Sequence, residues 1–366
     1  MYDHPAGPPN LGEHMNRLPV AAVVVIVLSS LSTTAHAAGL KEVAQSKTQW
    51  TGVAASKDGR VFVNFPRWTQ NIPMSVGEIK NGTATAFPDP SWNSWKDGDA
   101  PDKKFVCVQS VVVDGKNRCW VLDPASPNMK GIVPGGPKLV QIDLVTNKVV
   151  RVYPFDERVA PQKSYLNDVR FDLKANAAYI TESGTGALIV LDLSTGKARR
   201  LLSDHPSTKA ENISIVINGT KLLRNGSAPK INADSIALDP QGKYLWYKAL
   251  TAKTLYRIPV TALLDPKLSA SQVASKVENM GQTVPTDGIE FGADGNLYLT
   301  SIEDNSIKRY KAAKPRPQLE TIVKDPRLDW PDSFAVTKDG GMLVTTSQID
   351  KANKPSQPYG LFEFSP

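Results

Sequence analysis

Six short segments of this chain open on a side chain that can bind through oxygen: Thr51, Gln109, Asn167, Asp234, Asp287 and Asp332, with Asp168 beside the third. Each opener is followed by apolar residues two and four places on, as in Asp234-Ser235-Ile236-Ala237-Leu238 and Asp287-Gly288-Ile289-Glu290-Phe291. Equivalent places in a repeat become neighbours when the repeat closes on itself, and carboxylates crowded about one axis are costly unless a cation or a network of donors satisfies them. A hard divalent cation such as Ca²⁺ takes oxygen ligands of this kind, and a small polar ligand is the other occupant such a ring invites. The same side chains can instead cap neighbouring strands by accepting backbone N–H groups. Residue type alone leaves these readings open.

The segments that carry the openers read as hairpins. Most first strands run into a turn rich in Asp, Gly or Asn, such as Lys57-Asp58-Gly59, Asp114-Gly115-Lys116-Asn117, Asp239-Pro240-Gln241-Gly242 or Lys338-Asp339-Gly340. A second apolar strand follows, such as Cys119-Trp120-Val121, Ala178-Tyr179-Ile180 or Leu297-Tyr298-Leu299. Period-two alternation around such turns is strand chemistry, and helical spacing does not fit it. Two further strand candidates come after the hairpins, at 139–144 and 149–152 and again at 188–193 and 199–202. Four strands in each of six copies predict an all-β fold, a six-bladed β-propeller whose first strands line a central channel. The openers should then converge near the axis. They lie 58, 58, 67, 53 and 45 residues apart, so the plan is constant while the connecting loops vary, and variable loops on a fixed scaffold carry function. The chain ends in Leu361-Phe362-Glu363-Phe364, one strand short of a last blade, while Leu40-Lys41-Glu42-Val43 precedes the first hairpin. The N-terminal strand is therefore expected to complete blade six, leaving no open sheet edge.

Of the 366 residues, 41% are hydrophobic and 22% charged, an ordinary globular composition. The formal charge of +7 comes from 43 basic and 36 acidic residues; it contains no dense Lys/Arg block, so a nucleic-acid partner is not expected. Arg17, a mostly apolar run over 18–31 and Ala35-His36-Ala37 read as a signal peptide over 1–37, with Met15 a better start than Met1, cleavage after Ala37 and the propeller over 38–366. The mature protein is expected to be exported, periplasmic or extracellular, monomeric, and without a membrane span. Export permits a disulfide between Cys107 and Cys119, the only two cysteines. The turn at 114–117 sets Cys119 opposite a residue near Val112 and turns Cys107 to the other face unless a bulge intervenes.

Two insertions stand out. Residues 212–231 read as an extra hairpin turning at Asn218-Gly219, and residues 269–280 as a short helix opening on Ser269. The His205-Pro206-Ser207-Thr208 loop reads as structural. Ser183 in Glu182-Ser183-Gly184 has the type of a nucleophile with no base indicated nearby. The Trp92-Asn93-Ser94-Trp95 cluster suits either a blade edge or an aromatic rim.

Several of these stretches resemble the Yellow/major royal jelly protein family, in its bacterial, dopachrome-tautomerase-related members. They are Trp92-Asn93-Ser94-Trp95, Val108-Gln109-Ser110-Val111, Pro134-Gly135-Gly136-Pro137-Lys138-Leu139, Ser164-Tyr165-Leu166-Asn167-Asp168-Val169-Arg170 and Trp330-Pro331-Asp332. Glu182 departs from the aspartate usual there. The resemblance implies a six-bladed propeller, export, and a channel-mouth pocket that in some relatives binds biogenic amines; with the repeat positions Asn167, Asp168, Gln109, Thr51 and Asp332 as binding residues, a small aromatic, amine or sugar-like ligand is expected there. A more distant resemblance to gluconolactonase/regucalcin-like propellers implies the alternative of a metal-dependent lactone hydrolase. By that likeness Asp234 and Asp287 would hold Ca²⁺ or another divalent cation, Asp287 would serve as catalytic acid and base, and Asn167 and Asp168 would face the substrate. Those enzymes also use a first-blade glutamate, where this chain has Trp50-Thr51, so the metal would lack an anionic ligand unless Asp332 substitutes.

Overall fold

Each hairpin read from the sequence grows into a four-stranded antiparallel sheet, and six such sheets form the blades of a propeller. The protein is seen in a computed structural model that describes Gly7 and residues 39–312, 317–351 and 354–366. The expected signal peptide and its cleavage site lie outside the described residues.

Blade 1 comprises Val53–Ala55, Val61–Asn64, Val76–Lys80 and Thr83–Ala86, and blade 2 Ser110–Val113, Arg118–Asp123, Lys138–Asp143 and Lys148–Pro154. Blade 3 is Leu166–Asp172, Ala177–Glu182, Ala187–Asp192 and Ala198–Leu201. Blade 4 is Ala233–Leu238, Tyr244–Ala249, Thr254–Pro259 and Glu278–Gln282, and blade 5 Ile289–Phe291, Leu297–Ser301, Ser306–Lys311 and Gln318–Lys324. Blade 6 takes Pro331–Val336, Met342–Thr346 and Tyr359–Phe364 from the end of the chain and its outer strand, Lys41–Ser46, from the beginning. Lys41 pairs opposite Glu363 and Ser46 opposite Tyr359. The ring closes as the sequence predicted.

The apolar pattern explains why blades stack. The second and third strands of blade 3 are buried on both faces, so they read as nearly continuous apolar runs. Ala178 and Ile180 join Trp120 and Val169 in the core between blades 2 and 3, whereas Tyr179, one residue out of phase, packs with Ile236 and Tyr247 between blades 3 and 4. The same alternation fills the other four interfaces, with Phe62 and Val121 between blades 1 and 2, Trp246 and Leu297 between 4 and 5, Tyr298 and Val344 between 5 and 6, and Val63 and Leu361 between 6 and 1.

Hydroxyl groups stitch the innermost strands together. Thr51 Oγ1 donates to the Gln109 carbonyl at 3.0 Å, Thr181 Oγ1 to the Asp234 carbonyl at 2.6 Å and Ser235 Oγ to the Thr286 carbonyl at 3.1 Å. Ser110 Oγ donates to Asp168 Oδ1 at 2.6 Å, and Thr345 Oγ1 donates to the Thr51 carbonyl. Between blades 5 and 6 the backbones touch directly, because a Cβ on Gly288 would overlap the Asp332 carbonyl. Gly288→Ala is therefore expected to cost about 1–3 kcal/mol, read as a lower denaturation midpoint.

The inserted hairpin is present, with Val216–Ile217 paired to Thr220–Lys221 and Asn218 and Gly219 both at positive φ, as a tight primed turn requires. The second insertion is corrected. Its helix covers only Ala270–Ala274, capped by the Ser269 hydroxyl on the Gln272 N–H, and Glu278–Gln282 is the outer strand of blade 4. The apolar residues beyond Ala274 that suited a helix are used to complete a sheet. Cys119 pairs opposite Val113, and both cysteines are free thiols in different cores. Burial pushes the Cys107 thiol up to about 12. The Trp92–Trp95 cluster covers the edge of blade 1, where Asn93 Oδ1 accepts the N–H groups of Ser75 and Val76 and Trp92 packs on Phe105. No helix among the described residues is long and apolar enough to cross a membrane.

Candidate functional site

The innermost strands all begin at one end of the channel, and there the molecule holds a cavity of about 560 Å³. Of the residues singled out from the sequence, Gln109, Asn167, Asp234 and Asp287 line it, as does Ser183; Thr51, Asp168 and Asp332 do not. Thr51 is wholly buried, committed to its inter-blade bonds and to the Asn64 amide at 2.9 Å. Asp168 pairs with Arg170 at 2.7 Å, and Arg170 also reaches Glu290 at 2.9 Å, so this charge is neutralised within the channel wall. Asp332 accepts from Ser333 Oγ at 2.8 Å through Oδ1, while its buried Oδ2 has no hydrogen-bond partner among the described residues. Thr51 thus ties two blades through its hydroxyl without accepting a backbone N–H, and the cavity gathers the openers of blades 2 to 5.

Asp234 and Asp287 form the chemical centre of the cavity. Both are more than nine-tenths buried, at 3% and 8% exposure. Asn167 Nδ2 donates to Asp234 Oδ2 at 2.9 Å and to Ser183 Oγ at 3.0 Å, and Trp330 Nε1 donates to Asp287 Oδ2 at 2.6 Å. Burial pushes both carboxyls up, Asp287 to about 6 and Asp234 well above the usual carboxylate range. The charges of Asp287, Asp332 and Asp168 add to burial in raising Asp234. Trp330 and the nearby Arg224 hold Asp287 down. Asp332 is likewise held well above the usual range by burial and the Asp287 charge, so the three carboxyls titrate as interacting groups. Trp330 sits at φ 56°, in the left-handed region that a bulky side chain rarely adopts, and its backbone is fixed by the Ser347 N–H on its carbonyl. Its indole N–H is expected to matter: in Trp330→Phe the Asp287 carboxyl should titrate higher, by about one pH unit, because a charge-assisted bond to the ionised form is gone. A ¹³C-carboxyl titration of aspartate-labelled protein checks this.

The donor set does not fit a hard divalent cation. Two of the carboxylate oxygens accept N–H groups from Asn167 and Trp330, burial favours the protonated form of both carboxyls, and the first blade supplies a hydroxyl already bonded. Among the described residues no group of three or more His, Cys, Asp or Glu side chains stands in a metal-ligating arrangement. Ca²⁺ takes six or more oxygen ligands and would have to displace protons and both N–H donors.

The walls come from residues to which sequence reasoning gave no role. Trp68 Nε1 donates to the Tyr165 hydroxyl at 2.7 Å, which donates to Gln109 Oε1 at 2.9 Å. Trp68, Tyr165 and Trp330 give the cavity aromatic sides, while Arg224 and Lys230 enter from the first insertion, on the connection between blades 3 and 4. Glu182 caps the Ser183-Gly184 lip, accepting from the N–H groups of Tyr165, Gly184 and Thr185 and from Arg200. His205 lies away from the cavity and caps the short turn Pro206–Thr208.

A dopaminechrome tautomerase of Drosophila melanogaster is 26% identical over 279 residues, which is 70% of this chain and 59% of that protein. Major royal jelly protein 5 of Apis mellifera is 24% identical over 284 residues, 73% of this chain and 45% of that protein. The aligned part of the chain thus spans about half the length of these relatives. Among solved structures, a gluconolactonase of Xanthomonas campestris superposes with a TM-score of 0.56 over 90% of this chain and 89% of its own at 11% identity, a likeness of fold. Residues 106–364, which hold blades 2 to 5, most of blade 6 and the carboxyl pair, match the family model described as Major royal jelly protein, and the chain belongs to that family.

Proposed function

We propose that the protein is an exported, monomeric propeller that binds a small aromatic ligand at the channel mouth and moves one proton on it. The observation that carries this reading is the buried carboxyl pair, Asp234 and Asp287, both held above the usual carboxylate range, on the wall of a cavity sided by Trp68, Tyr165 and Trp330. Two carboxyls whose environments set one ionised and the other protonated are the components of general acid–base catalysis. The relative named as a dopaminechrome tautomerase suggests the substrate class, a cyclised aminoquinone.

Such a ring tautomerises when a ring C–H proton leaves to a base, its electron pair moves through the conjugated system, and the quinone oxygen takes a proton from an acid. Ionised Asp287 would accept the carbon proton while Asp234 donates its own to the oxygen. The proton on Asp287 then returns to Asp234, directly or through water, so nothing is consumed. Asn167 and Trp330 hold the two carboxyls in register throughout. Lactone hydrolysis with a bound divalent cation is less well supported, since the carboxylate oxygens already accept N–H groups.

The test is the decay of dopaminechrome absorbance with wild-type protein, Asp287→Asn and Asp234→Asn, alongside a gluconolactone assay with and without Ca²⁺. Acceleration by wild type that both variants lose supports the reading. Ca²⁺-dependent lactone hydrolysis without any effect on the aminochrome would overturn it.

A further inference from the structure

The cavity carries more positive charge at its rim than its acidic pair needs. Arg224, Lys130, Lys163 and Lys230 all line it, and none of them forms an ion pair among the described residues. The three lysines are exposed, as surface lysines usually are, but Arg224 is half-buried. Burial lowers the affinity of its guanidinium for a proton, and Asp287 is the carboxylate that offsets this. Yet no Arg224–Asp287 ion pair forms, and the Arg224 side chain donates no hydrogen bond among the described residues. A guanidinium has five N–H donors in a planar fork, and at Arg224, which lines the cavity, none of them meets a protein acceptor among the described residues.

The rest of the hairpin fixes Arg224 in that position. Ile215, Ile217 and Leu222 pack with Leu250, Ile302 and Trp330, so the hairpin rests on the indole that bonds Asp287. Val216 N–H bonds Glu303 Oε1 at 2.8 Å, and Arg224 is locked by a two-way backbone bridge to Ser227. An unsatisfied fork held by a packed element beside the acid–base pair is a binding group awaiting an anion.

We propose that Arg224 anchors a carboxylate on the ligand, so that the pocket takes aromatic acids in preference to the corresponding amines or neutral rings. This rests on the channel-mouth reading above and adds a substrate class to it. Planar bidentate recognition is the particular strength of arginine, and the three lysines would steer the anion in.

The experiment uses indole-2-carboxylate and indole as matched probes in calorimetry at fixed salt, with wild type, Arg224→Gln and Arg224→Lys. Wild type is expected to bind the acid more tightly by about 10- to 100-fold, the range for a charge-assisted contact. Arg224→Gln should bring the affinity for the acid down to that for indole with the fold intact by circular dichroism, and Arg224→Lys should restore part of the preference. Equal affinity for the two probes in wild type overturns the proposal while the pocket reading stands. A preference that survives in Arg224→Gln overturns the assignment to Arg224. Failure to bind either probe, together with no effect on dopaminechrome, removes both readings at once.

Discussion

In Asp287→Asn the conversion of an aminochrome is expected to fall by about 10²–10⁴-fold, the usual contribution of one positioned acid or base, with little change in ligand affinity. Asparagine keeps the shape of the side chain and can still meet Trp330, but it cannot accept a proton from carbon. The effect should appear in kcat and not in KM, as for an interaction made only in the transition state. The wild-type pH profile carries the same signature. Asp287 is raised to about 6, so activity should rise with pH as it ionises and fall again where Asp234, held well above the usual range, loses its proton. Stopped-flow absorbance across that range checks both limbs. A flat profile, or a variant that keeps wild-type kcat, would show that the pair is structural.

The second large effect is on stability. Glu182 has no exposed surface and receives the Tyr165 N–H at 2.7 Å, the Gly184 N–H and Thr185 hydroxyl at 2.6 Å and Arg200 at 2.6 Å. Removing one partner of a buried pair strands the other, so Glu182→Ala is expected to cost about 3–5 kcal/mol and to lower the unfolding midpoint by on the order of 10 °C. The pH dependence has a definite sign. The folded-state pKa of Glu182 is depressed by its partners, Thr185 and Arg200 foremost, so its stabilisation is fully present above the unfolded value of about 4.3 and is lost as pH falls through the folded one. Wild type and variant should therefore differ most at neutral pH and approach each other in acid. Calorimetry at several pH values reads this directly; a constant gap would contradict the account. Because Glu182 holds the Ser183-Gly184 lip of the cavity, ligand affinity should fall with it.

The legible part of this protein is the part that repeats. Asp287-Gly288-Ile289-Glu290-Phe291 and its five counterparts fixed strand, turn and blade, and the unpaired ends of the chain, 40–43 and 361–364, predicted the closure seen between Lys41–Ser46 and Tyr359–Phe364. Equivalent positions in the repeat were also enough to bring Gln109, Asn167, Asp234 and Asp287 together. They could not separate a ligand-facing opener from one that ties two blades, because Thr51 and Asn167 differ in what their neighbours offer, Gln109 carbonyl in one case and Asp234 carboxyl in the other. Trp68 and Arg224 were illegible for another reason. Trp68 lies in the loop between the second and third strands of blade 1 and Arg224 in the insertion between blades 3 and 4, so no repeat position marks either, and only Arg224 had a signal, the insertion itself. Ser269 gave the true start of a helix, but its end depended on blade 4 needing a fourth strand.

The most direct test of the central claim is a ¹³C-carboxyl titration of aspartate-labelled protein, with Asp234→Asn and Asp287→Asn used to assign the resonances. Two interacting buried carboxyls, both held above the usual range, predict two separated steps, one near 6 and one well above it, with the second step shifted down or lost in either variant. Two independent titrations near the ordinary aspartate value would contradict it and leave the cavity without acid–base chemistry.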